Sequence, residues 1–89
     1  MKLAVEMAVM KLDDEWSAVA VGDDSAKFHG MLSLNETAVD IIKLLEEETT
    51  PEAVHSVMKE KYPDASADDI GRGIADILNQ LLKEGLLKE

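Results

Sequence analysis

The hydrophobic period of this chain changes once, near Asn35, and that change sets the fold class. Before it, residues spaced for a strand stand two apart: Leu3, Val5, Met7 and Val9, then Phe28, Gly30 and Leu32. After it, apolar residues stand three and four apart, at Ala38, Ile41, Ile42 and Leu45. A period of two places side chains on one face of a strand, and a period near 3.6 places them on one face of a helix. The chain is therefore expected to be α+β, a three-stranded antiparallel sheet followed by three helices.

The strands are expected at residues 3–9, at Trp16–Val21 and at Ala26–Ser33. The polar break Asp13-Asp14-Glu15 separates the first two. The turn cluster Gly22-Asp23-Asp24-Ser25 separates the second from the third. Connections this short favour an antiparallel meander. In the second strand Val19 and Val21 share a face.

Each helix carries its own start signal. Asn35 is placed to accept the orphan amides of helix one, with Glu36 in the first turn, where the helix dipole favours an acid. That helix should run to about Glu46, with a core stripe of Ala38, Ile41, Ile42 and Leu45. Thr50-Pro51 opens helix two, whose stripe is Val54, Val57 and Met58, and Tyr62-Pro63 closes it. Ser66 caps helix three, with Asp69 three residues on, and Gly85 is placed to end it. Helix three has a wide apolar arc of Ile70, Ile74, Ile77, Leu78, Leu81 and Leu82. It also carries Gly71 and Gly73, each worth about 1 kcal/mol less than alanine in a helix. These glycines are either tolerated defects or places where another chain comes close.

Eighty-nine residues make a single domain, 1–89, with one modest core. A chain this size buries only about 60–68% of its unfolded surface. Nineteen acids against nine bases leave a formal net charge of -10. Nucleic-acid binders need cations to displace counterions from phosphate, so this sign argues against nucleic acid and against an anionic membrane. With no cysteine, disulfides, thiolate metal sites and thiol nucleophiles are excluded. Glu6 and Lys11 interrupt the N-terminal apolar stretch, which argues against a signal peptide. No run approaches a transmembrane span. A cytoplasmic protein is expected.

Little in the sequence points to catalysis. His29 and His55 lack metal-ligand spacing, so no metal is expected. There is no phosphate loop, dinucleotide fingerprint or nucleophile elbow, so neither a cofactor nor an enzyme activity is expected. Asp24-Ser25 is similar to the attachment site of acyl carrier proteins, but the following Ala-Lys-Phe-His-Gly has strand character, which favours a hairpin turn. Helices two and three form a helix-turn-helix unit. Helix three offers only Arg72 and Lys83 beside Asp68, Asp69 and Asp76, the wrong electrostatics for reading DNA.

Leu34-Asn35-Glu36-Thr37-Ala38, followed by Ile41 and Leu44-Leu45, resembles the signature of the PqqD-like family. That family includes the coenzyme PQQ synthesis protein D and the recognition elements for ribosomally made, modified peptides. The resemblance continues through Thr50, Val54, Val57 and Met58. It ends on Leu78, Leu81 and Gly85-Leu86-Leu87, and spans roughly residues 16 to 88. Two positions depart from the family pattern: Glu47 stands where members often have glycine, and Gly73 where they often have an acid.

The resemblance implies a winged-helix-like arrangement and a non-catalytic peptide chaperone. Relatives bind the leader of a precursor peptide as a strand added to the third strand, over a groove lined by helix three. They present it to a modifying enzyme, commonly a radical-SAM maturase, as in PQQ or related biosynthesis. On the strand, the implied peptide-binding residues are Phe28, His29, Gly30, Met31 and Leu32. On helix three they are Ile70, Arg72, Gly73, Ile74 and Ile77, with Arg72 placed to pair with a leader carboxylate. The sequence independently supports an exposed strand edge whose unpaired backbone groups accept another strand, with Gly30 leaving room for close approach. A monomer is expected. The alternative is a winged-helix domain that serves protein interaction or transcription.

Overall fold

The Asn35 junction forms as its chemistry dictates. In the computed structural model, which describes residues 1–22 and 30–88, Asn35 Oδ1 accepts the Ala38 amide at 2.8 Å. Helix α1 then runs Glu36–Leu44, ending two residues short of Glu46, with the Leu45 amide closing onto the last carbonyls. Thr50 Oγ1 caps α2 (Pro51–Lys61) through the Ala53 amide at 3.1 Å. Ser66 Oγ caps α3 (Ala67–Lys83) through the Asp69 amide at 3.1 Å. At the far end of α3, Gly85 takes φ +72, a left-handed conformation that suits glycine. The Leu86 amide reaches back to Leu81 O at 2.8 Å and the Gly85 amide to Leu82 O at 3.1 Å, a Schellman closure. Leu86 and Leu81 are both buried beside it.

The strands are β1 (Lys2–Leu3), β2 (Met7–Leu12), β3 (Glu15–Ala20), β4 (Met31–Leu34) and β5 (Leu87–Lys88). The main sheet is antiparallel in the order β2-β3-β4. Its register pairs Val9 with Ala18 and Ala18 with Leu32. Asp13 turns the β2–β3 hairpin with φ 57, a conformation aspartate tolerates better than most residues. The architecture is the expected one, a three-stranded antiparallel sheet and then three helices.

Several local expectations are corrected. The segment 3–9 is not one strand. Residues 2–3 leave the main sheet and pair with β5, Lys2 opposite Lys88 and Leu3 opposite Leu87. The Leu3 amide bonds Leu45 O and the Ala4 amide bonds Leu86 O, both at 2.8 Å. These bonds tie the arm to the ends of α1 and α3, and Leu3, Val5 and Met7 are all buried although the chain bends at residues 4–5. In β3 the buried face carries Ala18 and Ala20, with Val19 on the opposite face, a choice the alternation leaves open. β4 covers 31–34, so of the expected strand 26–33 residues 26–29 lie outside the described residues. On α2, Val57 is 42% exposed, and on α3 Leu82 is 53% exposed, so neither belongs to the core.

The core is one cluster between sheet and helices. Ala18 and Leu32 from the sheet meet Ile41, Ile42 and Leu45 of α1, Val54 and Met58 of α2, and the buried stripe of α3. Among the described residues no helix is long and apolar enough to cross a membrane.

Candidate functional site

The main sheet has two edges, and β4 is one of them. It pairs with β3 from Val19↔Met31 to Trp16↔Leu34, and among the described residues no strand pairs with its other side. Alternate residues of an edge strand present backbone N–H and C=O groups with no ladder partner. The Asn35 cap ties the end of this strand directly to α1.

A cleft of about 140 Å³ lies beside this edge. One wall is Ser33 of β4 with Asn35, Thr37 and Ala38 from the start of α1. The other is α3, which contributes Gly73, Asp76, Ile77 and Gln80. These positions fall three and four apart, so they form one strip along the helix. Ile77 is buried and forms the floor, whereas Asp76 and Gln80 are exposed. A Cβ built on Gly73 meets no atom within 4 Å, so the space above it is open.

The wall contributed by α1 is held from behind. Tyr62 donates from its hydroxyl to Asp40 Oδ2 at 2.5 Å, and Lys61 Nζ reaches Asp40 Oδ1 at 2.6 Å, bracing α1 against the end of α2. Burial alone would raise the Asp40 carboxyl, but the bonds from Lys61 and Tyr62 outweigh it and hold the group below its ordinary range. The hydrogen bond to the Asp40 carboxylate, aided by desolvation, pushes the Tyr62 hydroxyl up to about 12.

The residues expected on sequence grounds separate into groups. Phe28 and His29 lie outside the described residues. Gly30 is exposed in the bend leading into β4, and Met31 is 59% exposed on the outward face of the sheet. Leu32 points the other way, into the core opposite Ala18. Ile70 and Ile74 are likewise core residues of this chain, and their side chains underlie the helix rather than open from it. Arg72 is exposed and paired with Asp69 at 2.6 Å. It lines a separate shallow surface with Ala67, Gly71 and Ala75 rather than the cleft. Only Gly73 and Ile77 of that helix set reach the cleft beside β4. Asp76 and Gln80 were not singled out from sequence. The signal was available, since they follow Gly73 at three and seven residues, the spacing of a single helix face.

Residues 6–87 match the sequence profile of the family described as coenzyme PQQ synthesis protein D (PqqD). The chain belongs to the PqqD family. None of the curated proteins matches it in sequence. Among solved structures it is similar to a chain described as TbiB1 in complex with the TbiA(beta) leader peptide. That likeness has a TM-score of 0.70 at 23% identity, covering 99% of this chain and 95% of the other. The PqqD-family chain and TbiB1 therefore share a fold across nearly their whole length.

Proposed function

We propose that this PqqD-family chain is a non-catalytic peptide-binding module. It takes the leader segment of a ribosomally made precursor peptide as an added strand on β4 and presents the remainder to a modifying enzyme, a radical-SAM maturase. The observation that carries this reading is the edge of β4, unpaired among the described residues, running beside an open cleft on α3. Main-chain bonds along such an edge supply affinity without regard to sequence, and the side chains that alternate into the cleft supply selectivity. The fold shared with TbiB1, a protein held in complex with a leader peptide, supports the same reading. So does membership of the PqqD family. In this reading the module is a cytoplasmic monomer, with Met31 and the backbone of residues 30–34 on the strand side of the site. The buried Leu32, Ile70 and Ile74 support it from below.

The test is a titration of isotope-labelled protein with a synthetic leader peptide encoded beside its gene, followed by backbone amide shifts. Shifts concentrated in residues 30–34 and 73–80 are expected. A titration that moves neither segment at high peptide excess refutes the proposal.

A further inference from the structure

Among the described residues, the lining of the cleft beside β4 has one ionisable side chain, and it is acidic. Asp76 is exposed, and among the described residues it has no hydrogen bond or ion pair. Two other acids of the helices are paired: Asp69 holds Arg72 and Asp40 holds Lys61. Arg72, one turn before Asp76 on α3, is drawn to Asp69 at 2.6 Å and is not part of the cleft lining. Among the described residues, no cation in the cleft lining balances Asp76. The chain's net charge of -10 adds to the negative field there.

Shape and charge run together along the strip. Gly73 leaves open space, Ile77 gives an apolar floor, and Asp76 and Gln80 follow within two turns. Neighbours at this spacing sit about 5–6 Å apart between Cβ atoms. That distance suits a long side chain with an apolar stem and a charged head, which covers apolar surface with the stem while the head stays hydrated. A short or acidic side chain would leave the Gly73 space empty or face Asp76 with like charge.

We propose that the strand docked on β4 carries a lysine or arginine at one fixed position, its stem over Gly73 and Ile77 and its cation against Asp76, with Gln80 accepting a further hydrogen bond. This rests on the strand-addition reading above and adds the side chain it selects. Asp76 becomes the residue that sets register, since a one-residue slip would turn the cation to the opposite face of the added strand.

The experiment presents a pool of synthetic peptides, each position drawn from Lys, Arg, Gln, Glu, Leu and Val, to immobilised protein and sequences what is retained. The wild-type chain is expected to enrich Lys or Arg at one position of an otherwise apolar pattern. Asp76→Lys should switch that position to Glu. Asp68→Lys, an equal charge change two turns earlier on α3 and outside the cleft lining, should leave it as in wild type. An individual enriched peptide should bind about two- to fivefold more weakly to Asp76→Asn, the scale of a solvent-exposed ion pair, and the difference should shrink at high salt. Retention of the same peptides by wild type and Asp76→Lys overturns the assignment of Asp76 while leaving strand addition intact. Retention of no peptide by the wild-type chain overturns both.

Discussion

Gly73 offers a perturbation in which stability and binding should move in opposite directions. In a helix interior, alanine is favoured over glycine by about 0.8–1.0 kcal/mol, because glycine loses more backbone entropy on folding. A Cβ at Gly73 meets nothing within 4 Å, and its φ is not in the left-handed region, so no steric cost offsets the gain. The same holds for Gly71, which lies on the other surface of α3. Gly71→Ala and Gly73→Ala should each stabilise the fold by about 1 kcal/mol, raising the melting temperature by about 4–8 °C in a domain of this size. Gly73→Leu should retain most of that gain, leucine being nearly as good a helix former. It should also place an isobutyl group in a cleft of about 140 Å³ and close it. Its affinity for a leader peptide should fall at least tenfold, about 1.4 kcal/mol, while Gly71→Leu binds as wild type. Thermal denaturation by circular dichroism and fluorescence-anisotropy titration read the two quantities separately. A Gly73→Leu chain that melts higher and binds unchanged would refute the assignment of this cleft. A Gly73→Ala chain that melts lower would refute the open space above the helix.

Other perturbations test the scaffold. Gly85→Ala should destabilise by about 1–2 kcal/mol in urea titrations, the sign opposite to Gly73→Ala, because φ +72 places its Cβ against the following carbonyl. Asn35→Ala should cost about 1 kcal/mol through loss of the α1 cap, and should broaden amide signals in β4 through its direct link to the strand. Leu81→Ala, at a fully buried position, should cost about 2–5 kcal/mol by chemical denaturation. The Asp40–Tyr62 bond should write itself into the pH profile. Asp40 has a depressed folded value, so its contribution is present above the ordinary 3.8 and fades as pH falls through that depressed value. Tyr62 has a raised one, so its contribution is full below pH 10 and fades as pH climbs toward about 12. Tyr62→Phe should therefore lower stability between these limits, and its deficit should narrow above pH 10. A deficit that stays constant into strong alkali would show that the hydroxyl bond contributes nothing.

Much of this molecule is legible because its signals are local. Asn35, Thr50 and Ser66 cap helices through their own side chains, and the bonds form within three residues of each cap. Gly85 ends α3 by a backbone conformation of its own. The period change near Asn35 marks the strand-to-helix border because the two geometries repeat differently along any chain. Partners distant in sequence were not legible. Two-residue strands such as β1 and β5 are too short to show alternation, and they meet only because α3 returns the chain to its beginning. Alternation also leaves open which face of β3 turns inward. Packing selected the small Ala18 and Ala20 over Val19. The wide apolar arc of α3 suggested a groove of isoleucines, but the core claimed Ile70 and Ile74 and left Leu82 in solvent. The sequence by itself thus determined where each helix starts, since caps and periods act over a few residues. Only the tertiary structure decided which helix face stands beside the bare edge of β4. That juxtaposition joins Ser33 to Gly73, Asp76 and Gln80 across some forty residues of chain, a distance over which no local preference acts.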